Sequence, residues 1–339
     1  MRNVEFKPIV AITMGDPAGI GPEILVDTML SPIIHDICKP LVIGSIEILE
    51  RVAKILGKEL KYNKISKPSE GKYEIGTIDI IETGVYDVET LEWGKVQKLG
   101  GRMSIDWIDK SIELGMNKEI DAVSTAPIHK GSIKLAGVQE PGHTEIYQNR
   151  TNSPYALTMF SCHKLRVFFV SRHMSLIDAC KYITKENVLE SIINIDKELK
   201  NIGVEKPHIA LAALNPHGGD NGLFGREEID HLIPAIEKAQ KMGINTVGPI
   251  PADSVFHMGK SGCYDAILSL YHDQGHIACK TYDFEKTISV TFGLPFIRSS
   301  VDHGTAFDIA GKGMAGSTSL IEATKIASEY AILMRSREE

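Results

Sequence analysis

Short apolar runs rich in β-branched residues alternate along the chain with longer segments whose apolar residues recur at helical spacing. The strand-like runs cover residues 8–14, 40–44, 77–82, 121–127, 165–171, 207–214, 264–271 and 287–293. Helical spacing is found over residues 45–60, 94–115, 187–203, 227–243 and 318–337. This alternation predicts an α/β protein with a largely parallel sheet, and strands that are apolar throughout are typical of strands covered on both faces. We expect the last helix to pack on the first half of the chain, which would make one domain discontinuous.

Polar and glycine-rich clusters follow five of the predicted strands, at their carboxyl ends. The clusters are residues 14–23, 124–131, 171–175, 214–222 and 271–276. In a parallel α/β sheet, ligands bind beyond the carboxyl ends of the strands. Because all five clusters lie at this end, the sequence predicts an enzyme or a small-ligand binder.

A further polar stretch, Gly293 to Gly313, follows the last predicted strand. It contains Arg298, Asp302 and His303 among several glycines. Glycine allows a backbone to approach a ligand closely, so the composition predicts a segment that holds a charged ligand against the main chain. The glycine-rich turn at residues 14–23 can likewise bind an anion through its amides, or it can be a plain turn between a strand and a helix.

Three histidines, His173, His217 and His272, each follow a different predicted strand. Neutral imidazoles that converge on one point suit a divalent transition metal such as Zn²⁺, Co²⁺ or Mn²⁺. They are far apart in sequence and form no compact metal motif, so each can also be an ordinary surface or hydrogen-bonded histidine. Their common placement at strand ends makes a shared metal site a hypothesis to test.

Two carboxylates lie beside these clusters. Asp273 follows His272 directly, and Asp253 lies in the segment GPIPADSVF. Each can be a metal ligand, a partner of a metal ligand or an acid–base group, and each can equally cap a helix or a turn.

Two cations and a His-Thr pair are candidates for substrate contacts. Lys280 and Arg298 can bind a phosphate, the arginine as a planar fork and the lysine as a point charge, or they can be solvated surface cations. His143 and Thr144, in the segment PGHTE, can contact a substrate hydroxyl or carboxylate. The alternative for this pair is the start of a helix.

Composition narrows the class of protein further. The chain has 339 residues, of which 43% are hydrophobic and 24% charged, as in soluble globular proteins. A net charge of −7 argues against a broad nucleic-acid surface. The five cysteines form no CxxC pair, which favours a reducing compartment without a disulfide framework. We find neither a signal-peptide pattern nor a run of about 20 apolar residues, and therefore predict a cytoplasmic protein.

Seven segments together resemble the 4-hydroxythreonine-4-phosphate dehydrogenase family along essentially the full chain. They occur in the family's order and read MGDPAGIGPE, STAPIHKG, GHTE, LNPHGGDNGLFGREE, GPIPADSVF, YHDQGH and GLPFIRSSVDHGTAFDIAGKG. The run DHGTAFDIAGKGMA is also similar to the nicotinamide-binding loop of isopropylmalate and isocitrate dehydrogenases. The resemblance implies the three-layer α/β/α fold of that larger group, which lacks the Rossmann fingerprint. We expect two domains, residues 1–128 with 286–339 carrying the dinucleotide loop, and residues 129–285 carrying the metal ligands and a dimer interface.

The resemblance also implies NAD, a divalent metal (Zn, Co, Mn or Mg) and a homodimer with its active site in the cleft at the subunit interface. By motif position, the implied metal ligands are His173, His217 and His272. The implied substrate contacts are His143, Thr144, Lys280, Ser289 and Arg298. The residues expected near the dinucleotide are Asp302, His303, Gly304 and Thr305. Asp253 and Asp273 are the candidate catalytic bases, with a metal-bound water as the alternative.

Two departures from the family pattern point to its catabolic branch. Ser289 stands where the family usually has Asn, and His276 stands where members of the vitamin pathway have an apolar residue followed by Pro. The catabolic branch oxidises 4-phospho-D-threonate or 4-phospho-D-erythronate at the C3 hydroxyl, followed by decarboxylation to dihydroxyacetone phosphate. The alternatives are 4-hydroxythreonine-4-phosphate oxidation in vitamin B6 biosynthesis, and a non-catalytic regulator that binds a sugar-acid phosphate.

Overall fold

The computed structural model describes residues 6–338 as two compact units. One unit contains the described residues up to Ala156 together with Ile288–Arg335. The other contains Leu157–Thr287, and the last residues of the chain are grouped with it. The sequence-based domain limits were residues 128 and 285, so the segment 129–156, which includes His143, lies in the first unit rather than the second. No helix within the described range combines the length and apolar content needed to cross a bilayer.

The first segment of the chain forms strands and helices in alternation. The strands are β1 (Ile9–Thr13), β2 (Lys39–Gly44), β3 (Lys61–Lys64), β4 (Thr77–Glu82) and β5 (Ala122–Thr125). The helices are α1 (Gly21–Met29), α2 (Pro32–Ile37), α3 (Ile46–Leu56), α4 (Lys98–Met116), α5 (Lys130–Leu135) and α6 (His143–Arg150). Local signals set several boundaries: Pro22 lies in the first turn of α1, and Gly57 ends α3 in the left-handed conformation.

The middle segment repeats the alternation. Its strands are β6 (Leu157–Cys162), β7 (Leu165–Phe169), β8 (Ile209–Ala212), β9 (Thr246–Ile250) and β10 (Ala266–Ser269). Its helices are α7 (Leu176–Tyr182), α8 (Lys185–Asn201), α9 (Ile233–Lys241), α10 (Ala252–Lys260) and α11 (His272–Tyr282). The chain then returns to the first unit with β11 (Ile288–Phe292), β12 (Ile297–Val301) and the long helix α12 (Thr318–Glu338).

Each unit is built on its own largely parallel set of strands. In the first unit the order is β3-β4-β2-β1-β5-β12-β11, with only the β11–β12 pairing antiparallel among the described strands. In the second unit the order is β6-β7-β10-β8-β9, and β6 runs antiparallel to β7. Fully buried apolar side chains fill the cores, such as Ile12 and Trp107 in the first unit and Val167 and Ile267 in the second. The predicted α/β class is confirmed.

Strands β3, β6, β9 and β12 lie outside the strand-like runs predicted from the sequence. Two differences from the sequence-based expectation bear on the candidate sites. The polar stretch 293–313 is not one ligand-binding segment, because its residues 297–301 form the buried strand β12 between β5 and β11. The helix expected over 227–243 is α9 preceded by a single π-type turn, Glu228–Leu232. Pro234 explains the change, since it has no amide hydrogen for a helical bond and its ring crowds the preceding turn.

Candidate active site

The three candidate metal ligands follow three neighbouring strands of the second unit. Strand β10 pairs in parallel with both β7 and β8, so the carboxyl ends of all three strands meet at one edge. His173 follows β7, His217 follows β8, and His272 begins α11 directly after β10. The parallel register thus brings the three histidine segments to the same edge of the second unit, as the strand-end clusters predicted.

A cavity of about 550 Å³ opens between two of these segments. His173 and His272 both line it, and their ring centroids are 6.2 Å apart. Arg172, Tyr271 and Asp273 also contribute to its wall. The cavity wall therefore combines imidazole, guanidinium and carboxylate groups with apolar side chains from residues 174–179.

Imidazoles are the kind of donor that divalent transition metals prefer. Two imidazoles that share one tetrahedral Zn²⁺ have centroids roughly 5 Å apart, given the Zn–N bond length, and the His173–His272 separation of 6.2 Å is longer than that. Nδ1 of His272 is 2.6 Å from Oδ1 of Asp273, an arrangement that orients a ligating histidine and leaves Nε2 for the metal. No cluster of three or more His, Cys, Asp or Glu side chains within residues 6–338 has the geometry of a metal site, so His217 is not gathered with the other two here.

A second imidazole, that of His276, packs against His272. The ring of His276 stacks on that of His272 at 3.6 Å between centroids and 13° between planes. Phe160 and Phe169 lie against the other sides of His276, at 4.1 Å and 4.7 Å. Burial, together with the charge of His272, lowers the pKa of His276 to about 4. His276 is thus a neutral packing partner of His272.

The segment that carries His217 has an uncommon backbone. His217, Asp220 and Asn221 adopt left-handed conformations with φ of 53°, 43° and 55°, and Gly218 and Gly219 between them also have positive φ. For residues other than glycine this conformation costs about 1–2 kcal/mol each. Such strain persists where surrounding contacts impose it and is concentrated at functional sites.

The other polar candidates of the second unit are placed as follows. Asp253 lies in the first turn of α10 and accepts a hydrogen bond from the hydroxyl of Ser254 at 3.2 Å. Lys280 lies in the last turn of α11, with its ammonium group 5.1 Å from the ring of Phe284. Asp273, besides its contact with His272, is largely exposed.

In the first unit, Arg298 is a buried cation rather than a surface one. It lies on β12 and is only 3% exposed. Its Nη1 donates to Oγ1 of Thr291 at 3.1 Å, and its Nη2 donates to Oγ1 of Thr125 at 2.8 Å. The guanidinium also lies 5.4 Å from the ring centroid of Tyr147. The alternative of a solvated surface cation is therefore excluded for Arg298.

His143 lies near this guanidinium, at the start of α6. Burial, and secondarily the charge of Arg298, lower the pKa of His143 well below its usual value, so the ring is neutral. Its Nε2 atom is buried and has no hydrogen-bond partner within residues 6–338. A buried polar atom without a partner is costly, and a ligand atom would satisfy it. Thr144 follows in the first turn of the same helix.

The remainder of the polar stretch, residues 302–313, packs on the glycine-rich turn after β1. The amide of Ile20 donates to the carbonyl of Thr305 at 3.0 Å, and the amide of Gly311 donates to the carboxylate of Glu23 at 2.6 Å. A Cβ atom on Gly19 would lie 2.8 Å from the carbonyl oxygen of Thr305. The glycine therefore allows the two segments to touch.

The residues predicted near the dinucleotide all lie in or beside this loop. Nδ1 of His303 is 3.0 Å from the carbonyl oxygen of Gly304, and Thr305 is buried. Asp302 directly follows β12. Ser289 lies on β11, opposite Ser300 of β12.

Sequence reasoning did not single out several residues that shape these sites. Thr125 and Thr291 accept the hydrogen bonds of Arg298, and Tyr147 lies between Arg298 and His143. Thr125 lies in one of the strand-end clusters, which was the only available signal. Glu228 contacts the segment that carries His217. It closes the motif LNPHGGDNGLFGREE, and its place in that motif was the only signal for it.

Comparison with known proteins agrees with the fold and with the predicted family. The family described as Pyridoxal phosphate biosynthetic protein PdxA matches residues 36–327. A protein of Fusobacterium nucleatum with the provisional name D-threonate 4-phosphate dehydrogenase is 53% identical over 322 residues, which cover 95% of this chain and 97% of the relative.

Two solved structures of 4-hydroxythreonine-4-phosphate dehydrogenases have the same fold. The enzyme from Klebsiella pneumoniae has a TM-score of 0.89 at 35% identity and covers 96% of this chain and 100% of its own. The enzyme from Burkholderia phymatum has a TM-score of 0.85 at 39% identity and covers 96% and 99%. The protein is thus a dehydrogenase, an oxidoreductase with a mixed α/β fold. The chain belongs to the PdxA family, and the predicted family is confirmed.

Proposed function

We propose that the protein is a metal-dependent, NAD-linked dehydrogenase of 4-phospho-D-threonate or 4-phospho-D-erythronate. It would oxidise the C3 hydroxyl and release dihydroxyacetone phosphate and carbon dioxide. The buried guanidinium of Arg298, near the neutral His143, supports an anionic substrate. Nε2 of His143 is buried without a hydrogen-bond partner within residues 6–338, so a substrate atom can supply one. The provisional name of the Fusobacterium relative favours the threonate branch.

In the first unit, Arg298 would bind the substrate phosphate through its planar fork, held in place by Thr125 and Thr291. Neutral His143 would exchange one hydrogen bond with a substrate oxygen, and Thr144 would contribute its hydroxyl. Ser289 would discriminate the C2 hydroxyl of these acids from the amine of 4-hydroxythreonine phosphate, since a mismatched buried polar group is costly. The loop with Asp302, His303, Gly304 and Thr305 would contact NAD.

In the second unit, His173, His217 and His272 would hold a divalent metal such as Zn²⁺, Co²⁺, Mn²⁺ or Mg²⁺. The imidazole set favours the transition metals over Mg²⁺. When bound, the metal would polarise the C3 oxygen of the substrate and stabilise negative charge on it. Asp273 would orient His272 through the 2.6 Å contact. Lys280 would add a positive charge for the phosphate.

The chemistry requires one base and one hydride acceptor. Asp253 or Asp273 would take the proton of the C3 hydroxyl while the hydride on C3 passes to NAD⁺. The product is a 3-oxo acid, whose carboxylate is β to the new carbonyl group. Loss of CO₂ and protonation at C2 then give dihydroxyacetone phosphate. We further propose that the enzyme acts as a cytoplasmic homodimer, without nucleic-acid or membrane partners.

A side-by-side rate comparison tests the substrate. Purified protein is given NAD⁺, a divalent metal and one of 4-phospho-D-threonate, 4-phospho-D-erythronate or 4-phosphohydroxythreonine, and NADH absorbance is followed. We expect one of the first two to react fastest. Preference for the third would support the alternative, the vitamin B6 dehydrogenase, which the names of the two solved structures favour. No NADH with any of them would favour a non-catalytic regulator.

A further inference from the structure

The segment that carries His217 is anchored by a buried carboxylate outside the candidate metal ligands. Glu228 is only 1% exposed. Its Oε1 accepts hydrogen bonds from the backbone amides of Leu214 at 2.9 Å and Asn215 at 2.7 Å. Its Oε2 accepts a third from the side-chain amide of Asn215 at 2.8 Å. A single carboxylate therefore binds both Leu214 and Asn215, just beyond the end of β8.

Two glycines, Gly219 and Gly225, leave space around this carboxylate and around Asn215. A Cβ atom on Gly219 would lie 2.8 Å from Oε2 of Glu228, so the left-handed segment passes directly over it. A Cβ atom on Gly225 would lie 2.5 Å from the side-chain nitrogen of Asn215. Glu228 also begins the single π-type turn of the second unit, Glu228–Leu232, and such turns are frequent at functional sites.

A second side chain joins the same strand end to the segment of His272. The amide oxygen of Gln274 accepts from the backbone amide of Leu270, at the end of β10, at 2.8 Å. Its amide nitrogen donates to the carbonyl of Ala213 at 2.8 Å. Residues 213–215, which lead into the His217 segment, are thus hydrogen-bonded to Glu228 and, through Gln274, to the start of α11.

From this geometry we propose that Glu228 is the positioning residue for His217. It imposes the left-handed course of residues 217–221 by holding Leu214 and Asn215, and so determines where the His217 imidazole is presented at the strand-end edge. The proposal deepens the proposed function and rests on it for the role of His217 as a metal ligand. It does not require Glu228 to touch metal or substrate.

Two variants test the proposal in the full-length protein. Glu228→Gln keeps the side-chain volume and one carbonyl oxygen, but it removes the charge. Glu228→Leu removes both acceptor oxygens and with them all three hydrogen bonds. Glu237→Gln, at an exposed position of α9, is the matched control.

The first measurement is amide hydrogen exchange in metal-free protein. In Glu228→Gln we expect exchange in peptides covering residues 213–224 to accelerate on the order of tenfold, as loss of charge-assisted hydrogen bonds produces. Exchange in β7 and β10 should stay as in the native protein and the control. An unchanged rate over 213–224 overturns the proposal, and so does acceleration spread evenly over the second unit.

The second measurement is the affinity for Co²⁺, followed by titration of the protein with the metal alone. We expect Glu228→Gln to bind roughly tenfold to a hundredfold more weakly, the effect usual for partners of metal ligands. Native affinity in this variant overturns the proposal. If Glu228→Leu fails to fold, the Co²⁺ affinity of Glu228→Gln still tests the proposal. If the native protein binds no divalent metal, the proposed function is contradicted. The role of Glu228 in positioning the His217 segment is then tested by the hydrogen-exchange measurement alone.

Discussion

The buried His143 predicts a specific dependence of stability on pH. Its pKa in the folded protein is lowered well below the ordinary value of 6.5, chiefly by burial and then by the charge of Arg298. In the unfolded chain the same imidazole takes up a proton once the pH falls below that value. The folded state therefore binds fewer protons, and stability is lost as the pH falls through the unfolded pKa, while above it His143 contributes no pH dependence.

The magnitude follows from proton linkage. Between about pH 7.5 and about pH 5.5, a histidine that protonates only when unfolded lowers the free energy of unfolding by about 1.4 kcal/mol. His143→Gln removes this titration while keeping hydrogen-bonding atoms in place. We expect urea unfolding at the two pH values to show a drop that is smaller by about this amount in the variant than in the native protein.

A control and a direct measurement make the test decisive. His257→Gln, at an exposed position of α10, is the matched control, because it makes the same substitution outside the core. Titration of the imidazole of His143 by NMR should show no protonation near its ordinary pKa. Identical pH dependence in the native protein and His143→Gln, or a normal titration of His143, would refute the reasoning from burial.

Three further predictions concern the proposed ligands. Arg298→Met should raise the KM for the phosphorylated substrate by roughly a hundredfold, since charge-assisted hydrogen bonds are worth about 1.5–3 kcal/mol each; an equal loss with an unphosphorylated analogue would contradict a phosphate contact. His217→Ala should abolish metal-dependent turnover with an unchanged circular dichroism spectrum, and residual activity that survives both the substitution and chelation would argue against a metal role. Gly19→Ala should raise the KM for NAD roughly tenfold or more, because its Cβ would push on Thr305. Gly316→Ala, where no atom lies within 4 Å, should leave it unchanged.

Much of the architecture could be predicted because its signals are local. Residues 77–82 were expected as a strand and form β4, and Pro22 lies in the first turn of α1, as expected. The helix expected over residues 45–60 ends at Leu56, because Gly57 adopts the left-handed conformation. Strand β12 was missed because Arg298, Ser299 and Ser300 interrupt its apolar pattern. Several of their polar groups donate hydrogen bonds to neighbouring strands, for example the hydroxyl of Ser300 to the carbonyl of Thr125 at 3.4 Å. Thr125 is distant from Ser300 in sequence, so no local segment contains both residues.

The α/β class, the polar clusters at strand ends and the family could all be predicted from the amino-acid sequence, because periodicity and motif order are properties of the chain alone. Tertiary structure decided which clusters share an edge, since only the pairing of β10 with β7 and β8 brings the segments of His173, His217 and His272 together. It also decided that Arg298 is buried on two threonine hydroxyls and that Glu228 anchors the segment of His217. Burial and hydrogen-bond partners depend on residues distant in sequence, and the charge state of His143 follows from them.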